Sequence, residues 1–103
     1  APVNETSFDI KERVLKARLV QKKRYANDAV SCNAYLLPKH IEKYCQLDSE
    51  ANNLLKAAVL NMGMTARAYH KILKVSRTIA DLAENKQILP SHMAEALQYR
   101  QTL

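Results

Sequence analysis

The sequence predicts an all-α fold of about five helices, and three observations carry that prediction. The 103 residues include a single glycine and three prolines, far fewer turn residues than a sheet protein needs at its hairpins. Apolar residues recur at i, i+3, i+4 and i+7 through most of the chain, the spacing of one helix face. No segment reads as a strand, and the length suits one compact domain.

Residues 1–7 are polar, contain a proline and read as a flexible lead-in to a single domain over 8–103. Asp9 and Glu12 have the spacing of a capping box, and nothing after them breaks a helix before about Tyr25. Ile10, Val14 and Ala17 form its expected inner row, flanked by Leu15 and Leu19. A turn over 27–33 leads towards Pro38, which suits the first turn of a short helix through Ile41, Tyr44 and Cys45.

Asp48 or Ser49 caps the third helix, where Leu54, Leu55, Ala58, Val59 and Met62 share helical spacing and Gly63 supplies a left-handed end. Thr65 caps the longest helix, expected over Ala66 to Glu84. Its inner stripe is Tyr69, Ile72, Leu73, Ser76, Ile79, Ala80 and Ala83, with Arg67, His70, Lys71, Lys74, Thr78 and Asp81 on the other side. A polar turn over 84–87 precedes a last helix near Ser91 to Arg100, with Met93, Ala96 and Leu97 facing inwards. Internal repeats and low-complexity segments are absent from this reading.

The net charge of +6 is localised. Lys11, Arg13, Lys16, Arg18, Lys22, Lys23 and Arg24 face only Glu12 within residues 11–24, which leaves nine basic and nine acidic residues for the remainder. Seven cations on one helix could track a phosphate backbone; a solvated or partner-facing surface is the commoner use, and aromatic interleaving is weak, with Tyr25 alone near the basic run. An autonomous nucleic-acid-binding module is therefore the rival reading, and a purely structural oligomerisation domain a third.

No apolar run is long enough to span a membrane, and the N-terminus lacks a signal-peptide layout, so the expected compartment is the cytoplasm. Cys32 and Cys45 stand without a partner motif and read as small hydrophobes. His40, His70 and His92 lie at no metal-ligand spacing, so no metal site is expected. The phosphate-loop, dinucleotide, zinc-protease and nucleophile-elbow motifs are all missing, which disfavours an enzyme complete in itself.

One junction runs against economy. In 61–67, NMGMTAR, the cation Arg67 sits in the first turn of a helix, where the macrodipole and unpaired amides are already positive. Together with the Thr65 hydroxyl, such a site suits a phosphate; the plainer reading is a solvated arginine or a pair with Glu50.

Residues 64–82, MTARAYHKILKVSRTIADL, and 92–100, HMAEALQYR, resemble the C-terminal domain of the magnesium-chelatase-like AAA+ ATPases, in the ComM/YifB branch. FDIKERVLKAR at 8–18, QKKRY at 21–25, the pair at 33–34 and CQLDSEA at 45–51 agree in order and spacing, so the resemblance covers nearly the whole chain. It implies an AAA+ helical lid, inactive alone, whose ATP-binding core belongs to the same protein outside this chain; that the chain starts with Ala fits a piece of something longer.

The resemblance further implies that Arg67 is a sensor-2 arginine reaching the γ-phosphate of ATP, supported by Thr65. ATP and Mg2+ would be cofactors of the parent protein, its partners the ATP-binding core, neighbouring subunits of a hexameric ring and DNA undergoing remodelling or branch migration. Lys11, Arg13, Lys16, Arg18, Lys22, Lys23, Arg24 and Arg77 are candidate nucleic-acid or subunit contacts, and Arg77 suits lid packing or a subunit contact better than phosphate binding. Met64, Thr65 and Ser76 depart from the family's commoner leucine, serine and alanine.

Overall fold

A computed structural model describes residues 6–102. Among the described residues there are five α-helices: α1 (Ser7–Arg24), α2 (Pro38–Tyr44), α3 (Ser49–Met62), α4 (Ala66–Leu82) and α5 (Pro90–Thr102). A single 3-10 turn, Asn33–Tyr35, lies between α1 and α2. The domain is a flattened all-α bundle, 39 × 38 × 24 Å, and α4 is its hub, packing on α5, α1, α2 and the 3-10 turn while α3 backs onto α5.

Most boundaries follow from local chemistry. Asp48 caps α3 by accepting from the Ala51 amide at 2.7 Å, and Thr65 caps α4 by accepting from the Ala68 amide at 3.1 Å. Gly63 ends α3 at φ +60°, with its amide donating to the Val59 carbonyl. The lead-in expected over 1–7 falls mostly outside the described residues; its last two positions begin the helix. Thr6, and not Asp9, is the α1 cap: the Thr6 hydroxyl oxygen accepts from the Asp9 amide and the Asp9 carboxylate accepts from the Thr6 amide.

The fourth helix stops at Leu82, two residues short of expectation. Glu84 takes a left-handed φ of 59°, its amide donates to Asp81 O and the Asn85 amide to Ala80 O. This is the Schellman closure with glutamate where glycine is usual, a choice invisible to residue preference.

The core joins Tyr25, Leu36, Ile41, Cys45, Leu55, Ile72, Leu73, Ala80, Ile88, Met93, Ala96 and Leu97, so the inward rows expected for α3, α4 and α5 are largely observed. An isolated parallel bridge, Leu47 to Ile88, ties the loop before α3 to the loop before α5. The first helix differs from expectation. Ala17 is buried and Val14 half-buried, but Ile10 is exposed, and so is the flanking row of Leu15 and Leu19. Polar and ionic groups hold this helix to the domain in place of aliphatic packing.

Candidate functional site

The first turn of α4 follows Gly63 closely, and its N-terminus lies at the surface, with residues 65–67 exposed. Thr65 uses its hydroxyl oxygen on the Ala68 amide and its carbonyl on the Tyr69 amide. The amides of Ala66 and Arg67 are thereby left without a partner inside the helix. Arg67 is exposed, and among the described residues its guanidinium makes no hydrogen bond or ion pair; the pairing with Glu50 does not form. Three consecutive residues thus carry a free fork donor, two helix-end amides and a hydroxyl, a donor set that fits a phosphate oxygen.

Arg67 stands at the edge of an open groove of about 1620 Å3 that runs along α4 between α5 and the α1–α2 side. Its rim carries Arg13, Lys71 and Lys74, and its floor includes Val75 and Ile79. Lys71 and Lys74 recur one and two turns beyond Arg67 on the same face of α4, so the locality is positive over about 10 Å of helix. Lys74 donates to the Ala34 carbonyl at 3.4 Å, which aligns it along the groove.

Behind the groove lies a buried polar cluster centred on Asp81. Its carboxylate is fully enclosed and accepts from Arg24 Nη1 at 3.0 Å, Arg24 Nη2 at 2.6 Å and Asn33 Nδ2 at 2.9 Å. Arg77 Nη2 lies 3.1 Å away. Arg77 also donates to the carbonyls of Lys86 and Asn85, each at 2.9 Å, clasping the turn that follows α4. Gln21 accepts from the Asn33 amide, and the Tyr25 hydroxyl donates to Asn33 Oδ1. Burial opposes the charge of Arg24, but hydrogen bonds to Asp81 and Tyr25 outweigh it and push its pKa further up.

The proposed surface contacts therefore divide. Lys11, Arg13, Lys16, Arg18, Lys22 and Lys23 are exposed on α1. Arg24 is mostly enclosed and Arg77 is buried, both committed to Asp81, so they offer no cation to an outside partner. Asp81, assigned from the helical wheel to the outer side of α4, is buried instead. Burial pushes the Cys45 thiol up to about 11, and both cysteines are free thiols. Among the described residues no three His, Cys, Asp or Glu side chains converge as a metal ion requires, and no helix is long and apolar enough to cross a membrane.

A family model described as magnesium chelatase, subunit ChlI C-terminal, matches residues 4–100. The chain belongs to this magnesium chelatase C-terminal family. It is 49% identical over 96 residues to the competence protein ComM of Haemophilus influenzae, covering 93% of this chain. It is 38% identical over 96 residues to the uncharacterised protein YifB of Escherichia coli, again over 93% of the chain, and 36% identical over 100 residues to the YifB of Salmonella typhimurium, over 97%. The chain spans only 18%, 18% and 19% of those three relatives.

The match runs through both long motifs of this magnesium chelatase C-terminal domain, the α4 segment with Arg67 and the α5 segment. One local device was readable and was missed. Leu37-Pro38-Lys39-His40 and Leu89-Pro90-Ser91-His92 are the same L-P-x-H start, used twice. In each, histidine Nδ1 accepts from the leucine amide three residues back, at 3.1 and 2.9 Å. Proline at the first helical position and a reach-back acceptor three residues after the cap are complementary.

Proposed function

We propose that this domain is the helical lid of a magnesium-chelatase-like AAA+ ATPase and that Arg67 is its sensor-2-type arginine. The observation that carries the reading is the Arg67 guanidinium, without a partner among the described residues, at the exposed first turn of α4 whose two leading amides the helix leaves unused. Membership of a family whose relatives are about five times longer supports a catalytic core elsewhere in the parent protein. In that parent, bound ATP with Mg2+ supplies the phosphoryl group to be transferred.

The residues of this chain contribute positioning and charge. Arg67 places a fixed positive fork where charge develops on the terminal phosphate oxygens. Thr65 sets the start of α4 and so the origin of that fork. Because α4 is also the packing hub, a movement of Arg67 on loss of the phosphate is passed to the whole domain. Coupling of this kind suits a ring of subunits in the cytoplasm working on DNA, a partner consistent with the competence protein among the relatives.

The test is Arg67→Ala in the full-length protein. One charge-assisted hydrogen bond to a charged group is worth about 1.5–3 kcal/mol, so ATP turnover should fall about 10- to 150-fold while the thermal transition of this domain is unchanged. Unaltered turnover would remove the sensor assignment.

A further inference from the structure

The outward face of α1 carries a second apolar row that the domain does not use. Phe8, Leu15 and Leu19 are 68%, 59% and 65% exposed, and at 100° per residue they fall within about 40° of one another, opposite Ala17 and Gln21. With Glu12 they fill alternate a and d positions of a heptad seam, continued by Lys22. The positions that flank such a seam are Lys11 and Arg18 on one side and Lys16 and Lys23 on the other, all exposed. Asp9, also at the margin, is occupied by the Thr6 cap, and Lys16 lies 3.9 Å from Glu84 in an exposed pair that salt would loosen.

We infer that this face of α1 docks an amphipathic helix of a separate partner protein whose flanking positions are acidic. Two features select that occupant. Leucines at the centre of the patch gain only by burial against apolar side chains, which a phosphate backbone does not provide. Four cations at the flanking positions would meet four cations in a pairing with a second copy, parallel or antiparallel, so self-association is disfavoured while glutamates at those positions are attracted. The polar anchoring of α1 through Gln21, Arg24 and Asp81 supports this use, because it holds the helix in place while sparing its leucines.

The experiment uses the 103-residue chain and a synthetic 21-residue helix with leucine at a and d and glutamate at e and g. Fluorescence anisotropy should show binding that is weakened at least tenfold by the double substitution Leu15→Ala with Leu19→Ala, and equally by Lys16→Glu with Arg18→Glu. The same peptide with lysine at e and g should not bind. All four substitutions are at exposed sites, and an unchanged circular dichroism melt verifies the fold. Failure of the glutamate peptide to bind would overturn the inference, as would binding indifferent to Leu15 and Leu19. Tighter binding to anionic vesicles or duplex DNA that depends on those same residues would also overturn it, assigning the face to lipid or nucleic acid.

Discussion

Replacing Asp81 with alanine should be among the most damaging single changes available to this domain. The carboxylate is completely enclosed and receives two hydrogen bonds from Arg24 and one from Asn33, with Arg77 Nη2 at 3.1 Å. Its removal leaves the Arg77 guanidinium, whose side chain is 4% exposed, as an uncompensated buried cation. Breaking a buried pair from one side costs about 3–5 kcal/mol, against a total stability of about 5–15 kcal/mol for a domain of this size. The expected midpoint shift, at about 4–8 °C per kcal/mol, is roughly 12–40 °C downwards. Arg77 Nε already lacks a partner within the fold, so no spare acceptor absorbs the loss.

Urea unfolding followed by circular dichroism measures the effect, and a second substitution separates charge from packing. Arg77→Met in the Asp81→Ala background removes the stranded cation, so the double variant should lose less stability than the two single losses combined, with a coupling of about 1–3 kcal/mol. A cost below about 1 kcal/mol for Asp81→Ala, or strict additivity in the double variant, would refute the description of this cluster as a tightly coupled buried network.

Two further outcomes follow from helix ends. His92 accepts the Leu89 amide through Nδ1, which requires neutral imidazole; burial first, and then the Arg77 charge, lower its pKa below 6.5. Its contribution to stability is therefore present above pH 6.5 and lost as pH falls through that value towards the lowered folded one. Glutamine at 92 can keep the reach-back bond without titrating, so His92→Gln should flatten stability against pH below 6.5; an unchanged slope counts against the cap.

The two left-handed residues should respond with opposite signs. At Gly63 a Cβ would meet nothing within 4 Å, so Gly63→Ala should cost only the backbone strain, about 1–2 kcal/mol. Glu84→Gly should stabilise by up to about 1 kcal/mol, since the Lys16 pair it removes is exposed. Thermal melts of both variants check the signs.

Helices were legible because their ends are written in short-range chemistry: Asp48 and Thr65 accept from amides three residues on, Gly63 takes the left-handed conformation that ends α3, and Pro38 suits the first helical position. Arg67 was legible for the same reason, as a cation at an unfavourable helix position. Of the two apolar rows on α1 the expected inner one won at Val14 and Ala17, while the exposure of Ile10 and of the flanking Leu15 and Leu19 was not legible. The winner was decided by Arg24 and Gln21 reaching residues 57 and 12 positions away, a separation over which periodicity has no bearing. Asp81 escaped for a related reason: charged side chains are placed outside by default, and only a partner from elsewhere in the chain justifies burying one.

The Asp81 carboxylate is also a mechanical joint. It pins the end of α1, through Arg24, to the last turn of α4, while Arg77 on the preceding turn grips the backbone entering α5. Arg67 lies 14 residues towards the other end of that helix, about 21 Å along its axis. A tilt of about 5° around the pinned end displaces the guanidinium by about 2 Å, roughly the difference between a made and a broken hydrogen bond. The buried joint is thus a fulcrum for α4, and the proposed sensor arginine stands at the far end of the lever, on the surface.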